Sequence, residues 1–284
     1  MANIEIVGNY QAQWGEGPIW WNDKLYYVDI EKHVVVIFDP ASGEEKFLPV
    51  GERVGTVVPR ESGGLVIAGD NGLYFLDETT GELEHIIDPE PELENNRFND
   101  GKCSPDGRFF AGTISLVKKQ EAALYQLDAE GSLQHAYGPV TNSNGLAWSA
   151  DASTLYYIDT PRRAVIAFDY SETTGEISRE RQVINTGHID ASPDGMTIDA
   201  EGKLWVAFCH GSCVVRFCPE TGSELQRVEL PVMETTACAF GGDNLDELYV
   251  TTGIHGSIEE ENAGRLYKIT GLGVKGIPAF AYKG

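Results

Sequence analysis

The chain has 284 residues, of which 42% are hydrophobic, enough to bury a sizeable core, and its 44 Asp and Glu outnumber 21 Lys and Arg for a formal charge of −23. Such a field repels phosphate backbones and anionic lipid surfaces, so nucleic acid and membranes are set aside as partners. No apolar run approaches the roughly 18 residues that span a bilayer, and the opening MANIEIVGNYQAQ has no basic segment followed by an apolar one, which predicts a cytoplasmic protein. Five cysteines, an odd number with no C-x-x-C spacing, read as reduced thiols on strands rather than as a disulfide framework or a thiolate metal site.

In chain order, the first predicted strand is IEIVG at residues 4–8, expected to close a ring against the last unit. Six short strands then follow turns: KLYYVDI, GLVIAG, RFFAGT, TLYYIDT, KLWVAF and ELYVTT, anchored at Leu25, Leu65, Phe109, Leu155, Leu204 and Leu248. Their spacings are 40, 44, 46, 49 and 44 residues, and each is followed by a second strand, such as VVVIFDPASGE or LYFLDETTGE, that ends in a turn. Short strands of aromatic and β-branched residues at a period near 45 are how four-stranded propeller blades read. No segment sustains a 3.6-residue apolar period, so helices between the strands are not expected. The reading is all-β: one six-bladed β-propeller domain over residues 1–284, preferred to a sandwich, whose seven or so strands would use fewer residues.

The repeat aligns four polar residues. Glu16 lies nine residues before Leu25, Asn99 ten before Phe109, Asn144 eleven before Leu155 and Asp194 ten before Leu204. Each stands at the head of a short apolar stretch that reads as the innermost strand of its blade, so all four are expected to converge at the channel mouth. Thr56 and the Thr235-Thr236 pair hold that place in units two and six. A single Asn or Asp caps a turn readily, but a cap has no reason to recur in register with a blade period. Two carboxylates brought together call for a cation. Carboxylate and amide oxygens suit Ca²⁺, Mg²⁺ or Mn²⁺, with Zn²⁺ and Fe²⁺ also open.

Six stretches carry a family resemblance: GEGPIWW (15–21), NRFNDGKCSPDGRFFAGT (96–113), SNGLAWS (143–149), PDGMTIDAEGKLWVA (193–207), AFGGDNLDELYVTT (239–252) and AGRLYKITGLGVKGI (263–277). Running nearly end to end, they resemble the senescence marker protein (regucalcin), gluconolactonase and luciferin-regenerating enzyme family. The resemblance implies a six-bladed propeller that hydrolyses sugar-acid lactones with one catalytic divalent cation, Ca²⁺ first among the candidates. It implies Glu16, Asn144 and Asp194 as metal ligands, Arg97 and Asn99 as substrate contacts, and Asp194, or else Glu16, as general base. One departure stands out. Where relatives carry a substrate-contacting Glu, this chain has Ser115 and Leu116, so its lactone is expected to differ, and specificity to be set near Leu116.

Two other functions fit the same residues: a propeller phosphotriesterase or esterase using that cation, and a non-catalytic calcium-binding propeller. The six histidines are read as exposed residues of connections; His188 and His210 are the two that could line the mouth, and neither is placed among the catalytic residues. The G-x-G-x-x-G match at 271–276 has eight residues after it, too few for a βαβ unit. There is no G-x-S-x-G, H-E-x-x-H or EF-hand loop in the sequence.

Overall fold

A computed structural model describes residues 2–256 and 258–284. The N-terminal strand β1 (Asn3–Gln11) leads into blade one, β2 (Gly15–Trp21), β3 (Lys24–Asp29), β4 (Val34–Phe38) and β5 (Glu45–Pro49). Blade two is β6 (Val54–Pro59), β7 (Leu65–Gly69), β8 (Gly72–Leu76) and β9 (Leu83–Ile87). Blade three is β10 (Asn96–Cys103), β11 (Phe109–Ser115), β12 (Ala122–Leu127) and β13 (Leu133–Val140). Blade four is β14 (Ser143–Trp148), β15 (Thr154–Asp159), β16 (Ala164–Tyr170) and β17 (Ile177–Asn185). Blade five is β18 (Ser192–Ile198), β19 (Leu204–Cys209), β20 (Cys213–Phe217) and β21 (Glu224–Glu229). Blade six takes β22 (Thr235–Gly241), β23 (Glu247–Thr252) and β24 (Arg265–Thr270), and β1 returns as its fourth strand.

The expected closure is therefore present: β1 runs antiparallel to β24, with Ile4 opposite Ile269 and Ile6 opposite Tyr267. Pairing the first strand with the last joins the ring by backbone hydrogen bonds, and β1 forms the outer edge of blade six. The apolar runs of the sequence become the second strands. In β19 all six residues are buried, because a neighbouring blade covers each face of the sheet, whereas β17 at the rim is exposed along most of its length. Among the described residues the helical content is one 3-10 turn at Thr160–Arg162, and no helix is long and apolar enough to cross a membrane.

Beyond β24 the chain crosses the channel end where the innermost strands finish. Gly276 N donates to Leu245 O, and Tyr282 N and Lys283 N donate to Pro59 O and Gly107 O. Tyr282 is buried and its hydroxyl donates to Asp128 O at 2.7 Å, so this tail ties blades five and six to two and three. Ile277, Pro278 and Phe280 line an apolar cavity there together with Ile19, Trp148 and Phe240. The glycine-rich match at 271–276 belongs to this plug.

Candidate functional site

Each of the six innermost strands shifts its pairing register at one place. The shifts fall between Glu16 and Ile19, Val54 and Thr56, Phe98 and Gly101, Asn144 and Leu146, Pro193 and Met196, and Thr235 and Ala237. A bulge adds a residue to one strand and re-aims its side chain. Here the bulges turn the repeat-equivalent residues toward the axis. The glycines that follow them are required by close packing: a Cβ on Gly145 would lie 2.6 Å from Met196 Cβ, and one on Gly195 would lie 2.3 Å from Ala237 Cβ.

Glu16, Asn99, Asn144 and Asp194 thus border one cavity of about 260 Å³, together with Arg97 and His210. Asn99 is the hub of its hydrogen bonds. Its Nδ2 donates to Ser143 O at 2.8 Å, Asn144 Oδ1 at 3.1 Å and Asn142 Oδ1 at 3.2 Å, while its Oδ1 accepts from Arg97 Nη1 at 3.0 Å. Asn144 Nδ2 donates to Thr160 Oγ1 at 2.8 Å, and Thr160 Oγ1 donates to Pro193 O at 2.9 Å. That chain of bonds fixes the amide of Asn144 with its nitrogen toward Thr160 and its oxygen toward Asn99. Arg97 Nη1 also donates to Phe98 O at 2.8 Å, but its Nε is buried with no hydrogen-bond partner.

The buried charge at this end of the channel is predominantly negative. Burial, then Asp194 and Asp100, push the Glu16 carboxyl well above its usual range, against the Gly17 N–H at 3.0 Å and Arg97. Burial raises Asp194 to about 8; the Cys209 thiol, 2.7 Å from Oδ2, opposes the rise, and Asp100 and Glu234 add to it. Asp100 is likewise raised by burial, with Lys102 as its counter-charge, and Lys102 Nζ reaches across the channel to Met196 O at 2.8 Å. Two carboxyls and an amide oxygen facing one cavity form an all-oxygen donor set of the kind hard cations take.

Several expectations need correction. Thr56 and Thr236 occupy the equivalent strands but stitch blades together, donating to Gly101 O at 3.0 Å and Gly15 O at 2.6 Å, and neither borders the cavity. His188 is exposed, as expected of a loop residue, and is not among the residues bordering the cavity, whereas His210 does border it. Leu116 is 48% exposed; from that segment it is Ile114 that lines the cavity. The five cysteines are unpaired, as expected, but Cys209 bonds a site residue. Asp100, Lys102, Thr160 and Cys209 went unassigned in the sequence; only aligning KLYYVD, TLYYID and LWVAFC by strand end would have placed Cys209.

A closed ring of six sheets with polar residues gathered at one mouth defines a six-bladed propeller with a channel-mouth site. The chain belongs to the SMP-30/Gluconolactonase/LRE-like family, whose profile matches residues 14–254. It is 41% identical to regucalcin of Xenopus laevis over 297 aligned residues, covering 99% of this chain and 98% of that one. Among solved structures it is similar to a luciferin-regenerating enzyme, with TM-score 0.94, 31% identity and full coverage of both chains. A calcium-binding protein, regucalcin, from Agrobacterium tumefaciens shares the fold at TM-score 0.92 and 24% identity, covering 98% of this chain and 96% of that one.

Proposed function

We propose that the chain is a divalent-metal-dependent lactonase that hydrolyses a sugar-acid lactone at the channel mouth. The observation that carries the reading is the convergence of Glu16, Asn99, Asn144 and Asp194, one from each of four blades, on one cavity beside Arg97. The donors fit a divalent cation: each carboxyl is forced toward its protonated form first by burial and then by the other buried acids around it. Glu16, Asn144 and Asp194 would hold the ion, with Ca²⁺ the first candidate and Mg²⁺, Mn²⁺, Zn²⁺ or Fe²⁺ the others. When bound, it would supply Lewis-acid polarisation of the lactone carbonyl.

The chain's own groups account for the rest. Arg97 Nε, buried and unpartnered, is a donor suited to a substrate oxygen and to the negative charge that grows on it during acyl transfer. Asn99 holds Arg97 and Asn144 in place through bonds to both. Asp194 is the general base: Oδ2 is engaged by Cys209, so Oδ1 is the atom that takes the proton of the attacking water. Ile114 on the cavity wall gives the substrate an apolar neighbour, in keeping with a lactone less polar than that of relatives with an acid nearby.

Metal-stripped protein assayed with a panel of small aldonolactones by pH indicator, with each cation restored separately, tests this. Turnover that returns with one cation and is absent in Glu16→Gln is expected. A folded protein that binds the cation yet hydrolyses none of the panel would transfer the reading to a calcium-binding propeller, and faster hydrolysis of phosphotriesters than of lactones would transfer it to a phosphotriesterase.

A further inference from the structure

A second donor cluster sits beside the mouth. His210 follows β19, Glu234 precedes β22, and His255 follows β23, so blades five and six both contribute. One ligand atom from each lies within 4.8 Å of the others. The cluster is held from outside by the backbone. Glu234 O accepts from Gly253 N at 3.0 Å, two residues before His255, and Met233 O accepts from Ser212 N at 3.1 Å, two residues after His210. The turn that carries His210 and the strand end that precedes His255 are both tied to the residues that present Glu234.

Glu234 itself is 0% exposed. Its Oε2 accepts the His210 backbone N–H at 3.0 Å, which fixes the plane of the carboxylate, and Oε1 faces His210 Nδ1 at 2.7 Å. The His210 and His255 rings lie 5.9 Å apart, nearly perpendicular at 81°. A fully buried carboxylate oriented by a main-chain donor, with two imidazoles beside it, has the build of a metal site whose outer contacts are in place before the ion arrives.

We infer that His210, Glu234 and His255 form a second cation site, selective for a borderline transition ion such as Zn²⁺, Co²⁺ or Fe²⁺. The donor chemistry separates it from the first. Two nitrogens and a carboxylate favour such ions, whereas the all-oxygen set of Glu16, Asn144 and Asp194 favours Ca²⁺. On binding, the neutral His210 ring carries its proton on Nε2 and offers the Nδ1 lone pair to the ion, so the Nδ1–Oε1 hydrogen bond is replaced by one bond from each atom to the metal. Three protein donors leave a four-coordinate ion one position unfilled, and His210 borders the mouth cavity, so that position is open to a ligand there. The site goes beyond the lactonase reading and holds whether or not the chain hydrolyses lactones.

The test uses metal-stripped full-length protein, first saturated with Ca²⁺ and then titrated with Co²⁺ alone. One further equivalent of Co²⁺ is expected, with a visible d–d band that Ca²⁺ does not displace; with Zn²⁺ instead, X-ray absorption should report two imidazole neighbours. His255→Ala, on a half-buried loop, and Glu234→Gln should each weaken the Ca²⁺-resistant Co²⁺ binding by about tenfold or more. Glu16→Gln should abolish Ca²⁺ binding and leave the Co²⁺ band. The inference is overturned if Ca²⁺ saturation removes all Co²⁺ binding, or if the band persists unchanged in His255→Ala and His210→Ala proteins of native circular dichroism.

Discussion

The Cys209 thiol donates to Asp194 Oδ2 across 2.7 Å. The ladder shows why a cysteine stands there: Cys209 faces Ser192 at the entry of blade five, as Asp29 faces Gly15 in blade one and Asp159 faces Ser143 in blade four. Those aspartates accept the backbone N–H groups of Gln13 and Trp14, and of Thr141 and Asn142. In blade five a third buried carboxylate at that place would stand against Asp194; a neutral thiol instead gives it a hydrogen bond.

That bond opposes the rise in the Asp194 pKa. In Cys209→Ala the carboxyl should hold its proton to higher pH, and cation binding, which must displace that proton, should shift its pH midpoint upward. Cys209→Ser, which keeps a donor, should stay near the parent. Calorimetric titration of Ca²⁺ across pH 5–9 reads the difference, and identical midpoints in all three proteins would show that the thiol does not support the charge.

Thr160 should matter although its hydroxyl is engaged by Asn144 and Pro193. Its hydroxyl accepts from Asn144 Nδ2 and donates to Pro193 O, so it sets which end of the Asn144 amide faces the cavity. Removal of such outer contacts costs about 10–100-fold in metal affinity. Thr160→Val is expected to weaken Ca²⁺ binding within that range while its melting temperature in chelator stays near the parent's. Unchanged affinity would place the control of the amide elsewhere.

Stability of the cation-free protein should fall with pH. The folded Asp194 carboxyl titrates at about 8, above its ordinary 3.8, so between those values the folded chain holds a proton that the unfolded chain has lost. Fewer protons on the unfolded state mean stability that is full below the ordinary value and lost as pH rises through the folded one. Glu16, raised for the same reasons, adds in the same direction. Scanning calorimetry in chelator should show a declining melting temperature from pH 5 to pH 8, and the gain on adding Ca²⁺ should be larger at pH 8 than at pH 5. A gain that is larger at pH 5 would contradict the assignment of these carboxyls to the cation.

Gly195→Ala tests the packing beneath the site. The new methyl would sit 2.3 Å from Ala237 Cβ and 2.7 Å from its Cα, in the neighbouring innermost strand. Overpacking of this kind costs about 1–3 kcal/mol, which denaturant unfolding in chelator should report. Separation of the strands should also move Asp194 off its partners, so Ca²⁺ affinity should fall together with stability. Full stability would mean that the blades can spread apart without cost.

The sequence by itself determined the blades, because apolar runs on a period near 45 have only a ring of small sheets in which to bury both faces of every second strand. It also determined the four residues at the mouth, because topology carries one repeat position to one place whatever the side chain. The tertiary structure decided what depends on contacts between blades. Thr56 and Thr236 share the position of Glu16 and Asn144 yet became stitches, since the nearest acceptors are carbonyls of the adjacent strand. Thr160, Cys209 and Lys102 lie on different elements from the residues they bond, at separations of 16, 15 and 94 residues. Lys102 meets Met196 because blades three and five face each other across the channel, while Thr160 and Cys209 meet their partners at adjacent strand ends within one blade, and of these only Cys209 shows in an alignment of the repeats.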